Sequence, residues 1–272
     1  MEMNNCLAIT ETSEARSASS QNESQKVFGE PGDVIEVFKQ DGNHLVVNIG
    51  DGSGVYLTIS RDSKKALVKN EPLHTLVGDS PYLTIEMDDK THRHKPVQQI
   101  IIDAKAMIGE EIDYCDFSNT SKNFITTLLF EIIDNKKVVP KAGDLIEIPR
   151  RVKIPYCVYQ HWALYVSHGF VVHLASTGPG HLGKEKSVVK KELLLDVVGN
   201  DKFQINNLSD KTYTPKPAQE IVRCALEKVG DKIDYHLIKR NCEHFVNEVR
   251  YGIPFSKQSH PLCSLFFPTT NF

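Results

Sequence analysis

A helical repeat of apolar positions marks the C-terminal part of the chain. Cys242, Phe245, Val246 and Val249 fall at i, i+3, i+4 and i+7, which predicts one apolar stripe of a helix turned toward a core. Asn241 precedes the stripe as an N-cap, and Gly252 and Pro254 end the pattern near Tyr251. Upstream, Pro217 suits the first position of a helix over Ala218–Val229, which Gly230 stops. Asp144–Ile148, Trp162–Val166 and Phe170–Ala175 are rich in β-branched and aromatic residues and predict strands. Ser167-His168-Gly169 reads as a three-residue hairpin loop between the last two. Strands followed by helices imply an α+β layered domain.

The pattern occurs twice. Pro31-Gly-Asp-Val-Ile-Glu-Val37 echoes Ala142-Gly-Asp-Leu-Ile-Glu-Ile148, and Pro96-Val-Gln-Gln-Ile100 echoes Pro217-Ala-Gln-Glu-Ile221. Ile108-Gly-Glu-Glu-Ile-Asp-Tyr114 echoes Val229-Gly-Asp-Lys-Ile-Asp-Tyr235. The last two matches share an offset of 121 positions, which holds from about Lys65 to Phe124. Repeated agreement at one register predicts two copies of one fold, over 29–135 and 138–252. Residues 1–28, rich in Ser, Asn, Gln and Glu, read as a disordered tail, and 253–272 form a second tail.

Composition narrows the class. The 272 residues are 40% hydrophobic and 25% charged, as in a soluble globular protein. No run reaches the roughly 18 apolar residues of a membrane span. The N-terminus lacks a basic start with an apolar core, so no secretory signal is expected. Six cysteines without CxxC pairs or framework spacing fit a reducing compartment, and the expected location is cytoplasmic. A net charge of −3 and the lack of a binding motif argue against nucleic acid as a partner. The copies differ in charge. Residues 140–252 carry 17 Lys and Arg against 13 Asp and Glu, net +4, whereas 29–139 carry 12 against 18, net −6. The basic copy suits an anionic lipid surface, and Arg150, Arg151 and Lys153 before Tyr156 and Tyr159 read as a basic-aromatic loop leading to His161.

Cys242 is the candidate nucleophile. In a first helical turn, unpaired N–H groups and the positive end of the dipole favour the thiolate. Such a cysteine needs a base, and the base needs a third group to orient it. His161 and His173 lie on the two arms of the predicted hairpin. A three-residue loop makes their register sum even and puts both on one face, whereas a two-residue loop would separate them.

Gln160-His161-Trp162-Ala163-Leu164-Tyr165, Val171-Val172-His173-Leu174 and Asn241-Cys242-Glu243-His244-Phe245-Val246-Asn247 together resemble the lecithin:retinol acyltransferase family, in its phospholipase A and acyltransferase branch. The resemblance spans the whole second copy. It implies a circularly permuted papain-like fold of the NlpC type, with Cys242 as nucleophile, His161 as general base and His173 as the group that orients it. It also implies acyl transfer from glycerophospholipids such as phosphatidylcholine and phosphatidylethanolamine through a Cys242 thioester, without metal or cofactor, on a peripheral membrane surface. His244 and Glu243 belong to the same motif but receive no chemical step.

The first copy departs from this pattern. Ser121 stands in the place of Cys242, Thr120 in that of Asn241, His44 matches His161, and Leu57 falls where His173 does. A serine without an oriented base is a poor nucleophile, so this copy is expected to be catalytically silent. The C-terminal tail carries only Leu262-Cys-Ser-Leu-Phe-Phe267 before Pro268, too short for a transmembrane anchor. Two other readings fit the same residues. One is a lipid-binding pseudo-enzyme or scaffold; the other is a papain-like amidase or peptidase with a non-lipid substrate.

Overall fold

The computed structural model describes residues 9–10, 28–59, 65–87, 91–114, 116–151, 158–176, 186–234 and 241–257. The chain divides into two compact units, Met1–Ile132 and Ile133–Phe272. Both are α+β, with strands paired antiparallel.

The first unit contains β1 (Ile9–Thr10), β2 (Val34–Lys39), β3 (Gly42–Asn48), β4 (Ser53–Ile59), β5 (Lys65–Pro72), α1 (Leu73–Val77), β6 (Tyr82–Met87), β7 (Arg93–His94), α2 (Val97–Met107), β8 (Glu111–Asp113), α3 (Phe117–Leu129) and β9 (Phe130–Glu131). Its main sheet has the order β1-β6-β2-β3-β4-β5-β8, and β7 pairs with β9. The second unit contains β10 (Leu145–Arg151), β11 (Val158–Ser167), β12 (Phe170–Ser176), β13 (Lys186–Leu193), α4 (Leu194–Val198), β14 (Gln204–Ile205), a single 3-10 turn (Leu208–Lys211), α5 (Ala218–Glu227), β15 (Lys232–Asp234) and α6 (Cys242–Tyr251). Its sheet runs β14-β10-β11-β12-β13-β15.

The repeated sequence motifs are repeated turns. Gly32 and Gly143 adopt φ of 95° and 92°, a region that costs any residue with a Cβ. The following Asp33 and Asp144 carboxylates each accept an amide hydrogen three residues back, from Glu30 and Lys141, at 2.8 Å. That closes the turn and starts β2 and β10 in the same way. Pro96 and Pro217 are the N-cap residues of α2 and α5, one place earlier than the first helical position expected for Pro217. α5 ends at Glu227, and Lys228 to Gly230 form the stop. α1 and α4 close on Gly78 and Gly199, at φ 53° and 59°.

In the second unit, α6 packs on β11 and β12, and α5 packs on β11 and α6. The stripe read from the sequence is the packed face: Cys242, Phe245, Val246 and Val249 are all buried. Each apolar side chain buried this way contributes about 1.5–3 kcal/mol, which ties the start of α6 to β11. The 1–28 tail lies outside the described residues apart from Ile9, Thr10 and Phe28, as does Leu262–Phe267.

Candidate active site

Cys242 is the first residue of α6. Asn241 caps the helix: its side chain accepts from the His244 amide at 3.0 Å, and the His244 ring returns to the Asn241 backbone, closing a capping box. The helix start is therefore fixed in place. Its sulfur lies 3.7 Å from the carbonyl oxygen of Gln160 and also meets the amide of Trp162. The thiol thus rests against the main chain that brackets His161 on β11.

His161 and His173 are brought together. His161 Nε2 lies 3.0 Å from His173 Nδ1, with the rings edge-on at 89°. The expected shared face is correct, but the turn that produces it is not the expected one. Ser167 pairs with Phe170, so the connection is the two-residue turn His168-Gly169, with both φ positive (46° and 78°). A bulge between Tyr165 and Ser167 then adds one residue and restores the even register, so that Ala163 pairs with His173. The bulge undoes the face change that a two-residue loop alone would impose.

A third group completes the row. His173 Nε2 lies 2.6 Å from Glu192 Oε2, and the carboxylate's other oxygen is 3.5 Å from Lys190 Nζ. Lys190 is the direct β13 partner of His173, and Glu192 pairs with Val171, so all four share one face. His173 is buried and Glu192 half-buried at their contact. Burial alone would raise the Glu192 carboxyl, but the hydrogen bond from His173, with Lys190, holds it below its ordinary value. Sequence reading missed Glu192, because its place depends on the β12–β13 register.

The thiol corrects an expectation. Burial pushes Cys242 up to about 11, aided by the neighbouring charge of Glu243, while the amides of Trp162, Glu243 and Cys242 pull the other way. The helix start does offer its N–H groups, but desolvation outweighs them, and the resting group is a neutral thiol at neutral pH. A cavity of about 280 Å³ lies beside the same strand segment, lined by Gln160, Trp162, Glu147, Glu243 and Asn247 among others. Neither His161 nor Cys242 is among its lining residues.

Comparison with known proteins settles the lineage. The sequence profile described as lecithin retinol acyltransferase matches residues 29–131 and 138–255, one segment in each unit. The chain belongs to the lecithin retinol acyltransferase family. Phospholipase A and acyltransferase 3 of Homo sapiens is 49% identical over 128 residues, covering 44% of this chain and 75% of the relative. Phospholipase A and acyltransferase 2 of Homo sapiens is 46% identical over 128 residues, with the same shares of 44% and 75%. Phospholipase A and acyltransferase 1 of Homo sapiens is 41% identical over 129 residues, with shares of 44% and 73%. The chain is thus a member of a family of acyltransferases and phospholipases, built as two tandem papain-like α+β domains.

Within this family fold, the first unit keeps more of the row than its sequence suggested. Val37 pairs with His44 as Ile148 pairs with His161, which confirms His44 as the counterpart of His161. Val46 pairs with Tyr56 as Ala163 pairs with His173. Tyr56, not Leu57, therefore occupies the place of His173. Glu71, paired with Gly54, occupies that of Glu192 and hydrogen-bonds the Tyr56 hydroxyl. The His44 and Tyr56 rings stand edge-on at 6.2 Å. What differs most is the place of Cys242: Ser121 is the fifth residue of α3, which starts at Phe117 under an Asp116 cap. Its neighbouring amides are spent inside the helix.

Other motif residues have structural partners. Glu243 is buried and accepts from Ser256 Oγ at 2.6 Å and the Lys257 amide at 3.0 Å, holding the segment after α6. Arg150 is bound to the carbonyls of Val197 and Val198 at the end of α4 and to Asp201, so its guanidinium closes that helix rather than extending a lipid-facing loop. Lys153 and Tyr156 of that loop lie outside the described residues. No helix among the described residues is long and apolar enough to cross a membrane.

Proposed function

We propose that the second unit is a thiol-dependent phospholipid acyl hydrolase and acyltransferase. The observation that carries the reading is the His161–His173 pair, hydrogen-bonded between β11 and β12, with the β11 main chain beside His161 receiving the Cys242 sulfur. A lone buried cysteine is commonly plain packing; one at a capped helix start, held against the main chain on both sides of a histidine that has a hydrogen-bonded partner, supplies the groups that nucleophilic catalysis requires. The family supports the acyl chemistry, and its named phospholipase members support a glycerophospholipid substrate.

The resting thiol is neutral, so activation is by general base. His161 takes the proton as the sulfur attacks the ester carbonyl of phosphatidylcholine or phosphatidylethanolamine, and a C–S bond forms. Amides at the start of α6 and at Trp162 are the donors placed to receive negative charge at this point. The C–O bond then breaks, and the imidazolium returns its proton to the departing lysophospholipid, leaving a Cys242 thioester. Water, with His161 again accepting the proton, gives a free fatty acid. The amine of phosphatidylethanolamine or the hydroxyl of a lysolipid instead gives the transfer product. The net +4 of residues 140–252 favours attachment to the surface of an anionic bilayer, where such substrates lie.

The first unit serves a non-catalytic role in this reading, since Ser121 has neither a thiol's acidity nor a helix start around it. The reading is tested with Cys242→Ala and His161→Ala, each incubated with mixed phosphatidylcholine and phosphatidylethanolamine vesicles. Loss of both lysolipid and acylated amine in each variant, with unchanged melting, supports it. Product formation at more than a few per cent of wild type by Cys242→Ala refutes it.

A further inference from the structure

The row of hydrogen bonds beyond His161 fixes where its protons sit. We propose that Glu192 is a positioning residue of this site: it sets the tautomer of His173, and through it makes Nδ1 the basic nitrogen of His161. The proposal rests on the reading of Cys242 and His161 as nucleophile and base.

An ionised carboxylate accepts hydrogen bonds and cannot give one. At 2.6 Å from Glu192 Oε2, His173 must therefore carry its proton on Nε2. A neutral imidazole has one donor and one acceptor, so His173 Nδ1 holds a lone pair. The 3.0 Å contact to that atom is then a bond donated by His161 Nε2. With its proton on Nε2, neutral His161 has its lone pair on Nδ1, and Nδ1 is the atom that takes the thiol proton. The resulting imidazolium still donates from Nε2 to His173, whose own N–H points to the carboxylate. The charge that develops on His161 is stabilised along the row, and no proton has to pass from His173 to Glu192.

Three observations favour this over a plain ion pair between Glu192 and Lys190. The short contact goes to the histidine, and Lys190 meets the other oxygen at 3.5 Å. The carboxylate is held below its ordinary value despite burial, so it is ionised at neutral pH. The first unit keeps the same feature: Glu71 stands at the register of Glu192 and bonds Tyr56, the residue in the place of His173. There too the carboxylate bonds the middle side chain of the row, although Lys69 stands in the Lys190 position, opposite Tyr56.

Side-chain ¹⁵N–¹H correlation spectra of the full-length protein near pH 7.5 test the assignment, with His161→Ala and His173→Asn identifying the signals. Both rings should show a protonated Nε2 and an unprotonated Nδ1. In Glu192→Leu the pattern should be lost and kcat should fall about 10- to 100-fold, by analogy with the carboxylates that orient metal-bound histidines, with KM unchanged. Glu192→Gln keeps an acceptor oxygen and should recover most of that loss. A wild-type His173 protonated on Nδ1, or on both nitrogens, overturns the proposal whether or not the variants fold. So does a folded Glu192→Leu with wild-type kcat. Because Cys242→Ala is assayed in parallel, the two failures stay distinct: an active Cys242→Ala removes the catalytic reading itself, whereas an inactive one beside an unaffected Glu192→Leu removes only the role of Glu192.

Discussion

Replacing Cys242 by alanine should change how the stability of the second unit depends on pH. The buried thiol is pushed from its ordinary 9.0 to about 11. At about 1.4 kcal/mol per pH unit, this amounts to about 3 kcal/mol of resistance to ionisation in the folded state. A group whose folded value is raised contributes stability that is fully present below the unfolded value and is lost as pH rises through the folded one. Wild type should therefore lose up to about 3 kcal/mol more than Cys242→Ala between about pH 9 and pH 11, and nothing extra between pH 7 and 8. The alanine variant carries a constant offset from lost packing, which does not bend with pH. Tyr251, raised to about 12, and the remaining cysteines titrate alike in both proteins and cancel in the difference. The assay is urea unfolding of both proteins at half-unit pH steps, followed by Trp162 fluorescence. Trp162 is the single tryptophan of the chain and lies buried beside the Cys242 contact, so the signal reports this unit. Parallel stability curves across pH 8–11 would refute the desolvated neutral thiol. A wild type that gains on the variant from pH 6 to 9 would show instead a resting thiolate, and the mechanism would start from an ion pair.

Further outcomes follow from the same geometry. His161→Ala should lower kcat nearly as far as Cys242→Ala, and the double variant no further, because members of one catalytic unit are not additive; multiplicative losses would separate them. His173→Asn, which keeps a hydrogen-bonding side chain, should retain more activity than His173→Leu in the same kinetics. Ser121→Ala should leave lipid turnover unchanged, and a large loss at constant melting temperature would mean that the first unit is a working site. Asn241→Ala removes the capping box and should cost about 1 kcal/mol of stability, read by the same urea titrations.

The parts of the fold that were legible in the sequence are those written in local chemistry. The repeated Gly-Asp and Pro segments, the helix that Pro217 opens and the stripe of α6 each depend on neighbouring residues and are read from the sequence directly. The shared face of His161 and His173 was inferred from loop length, yet a bulge supplies it, and no residue type announces a bulge there. Tyr56 was missed by a one-residue slip. In a strand that changes the face and so the apparent partner, and only pairing with β3 fixes it. Glu192 sits in Lys186-Ser-Val-Val-Lys-Lys-Glu-Leu193, which lacks clean alternation; its meaning comes from β12 alongside. The thiol's ionisation was misjudged for a related reason. The helix start is local and favours the anion, but the burial that outweighs it comes from β11, distant in sequence.

The central claim is that Cys242 becomes acylated. Wild-type protein is mixed with phosphatidylcholine and phosphatidylethanolamine vesicles, quenched in acid within the first turnovers, and analysed intact and after proteolysis by mass spectrometry. The account predicts a hydroxylamine-labile fatty acyl adduct on the Cys242 peptide, absent from Cys242→Ala and much reduced in His161→Ala, together with lysolipid and N-acylated product. Lysolipid and N-acylated product formed at wild-type rate by Cys242→Ala, with no adduct on the wild-type Cys242 peptide, would contradict it.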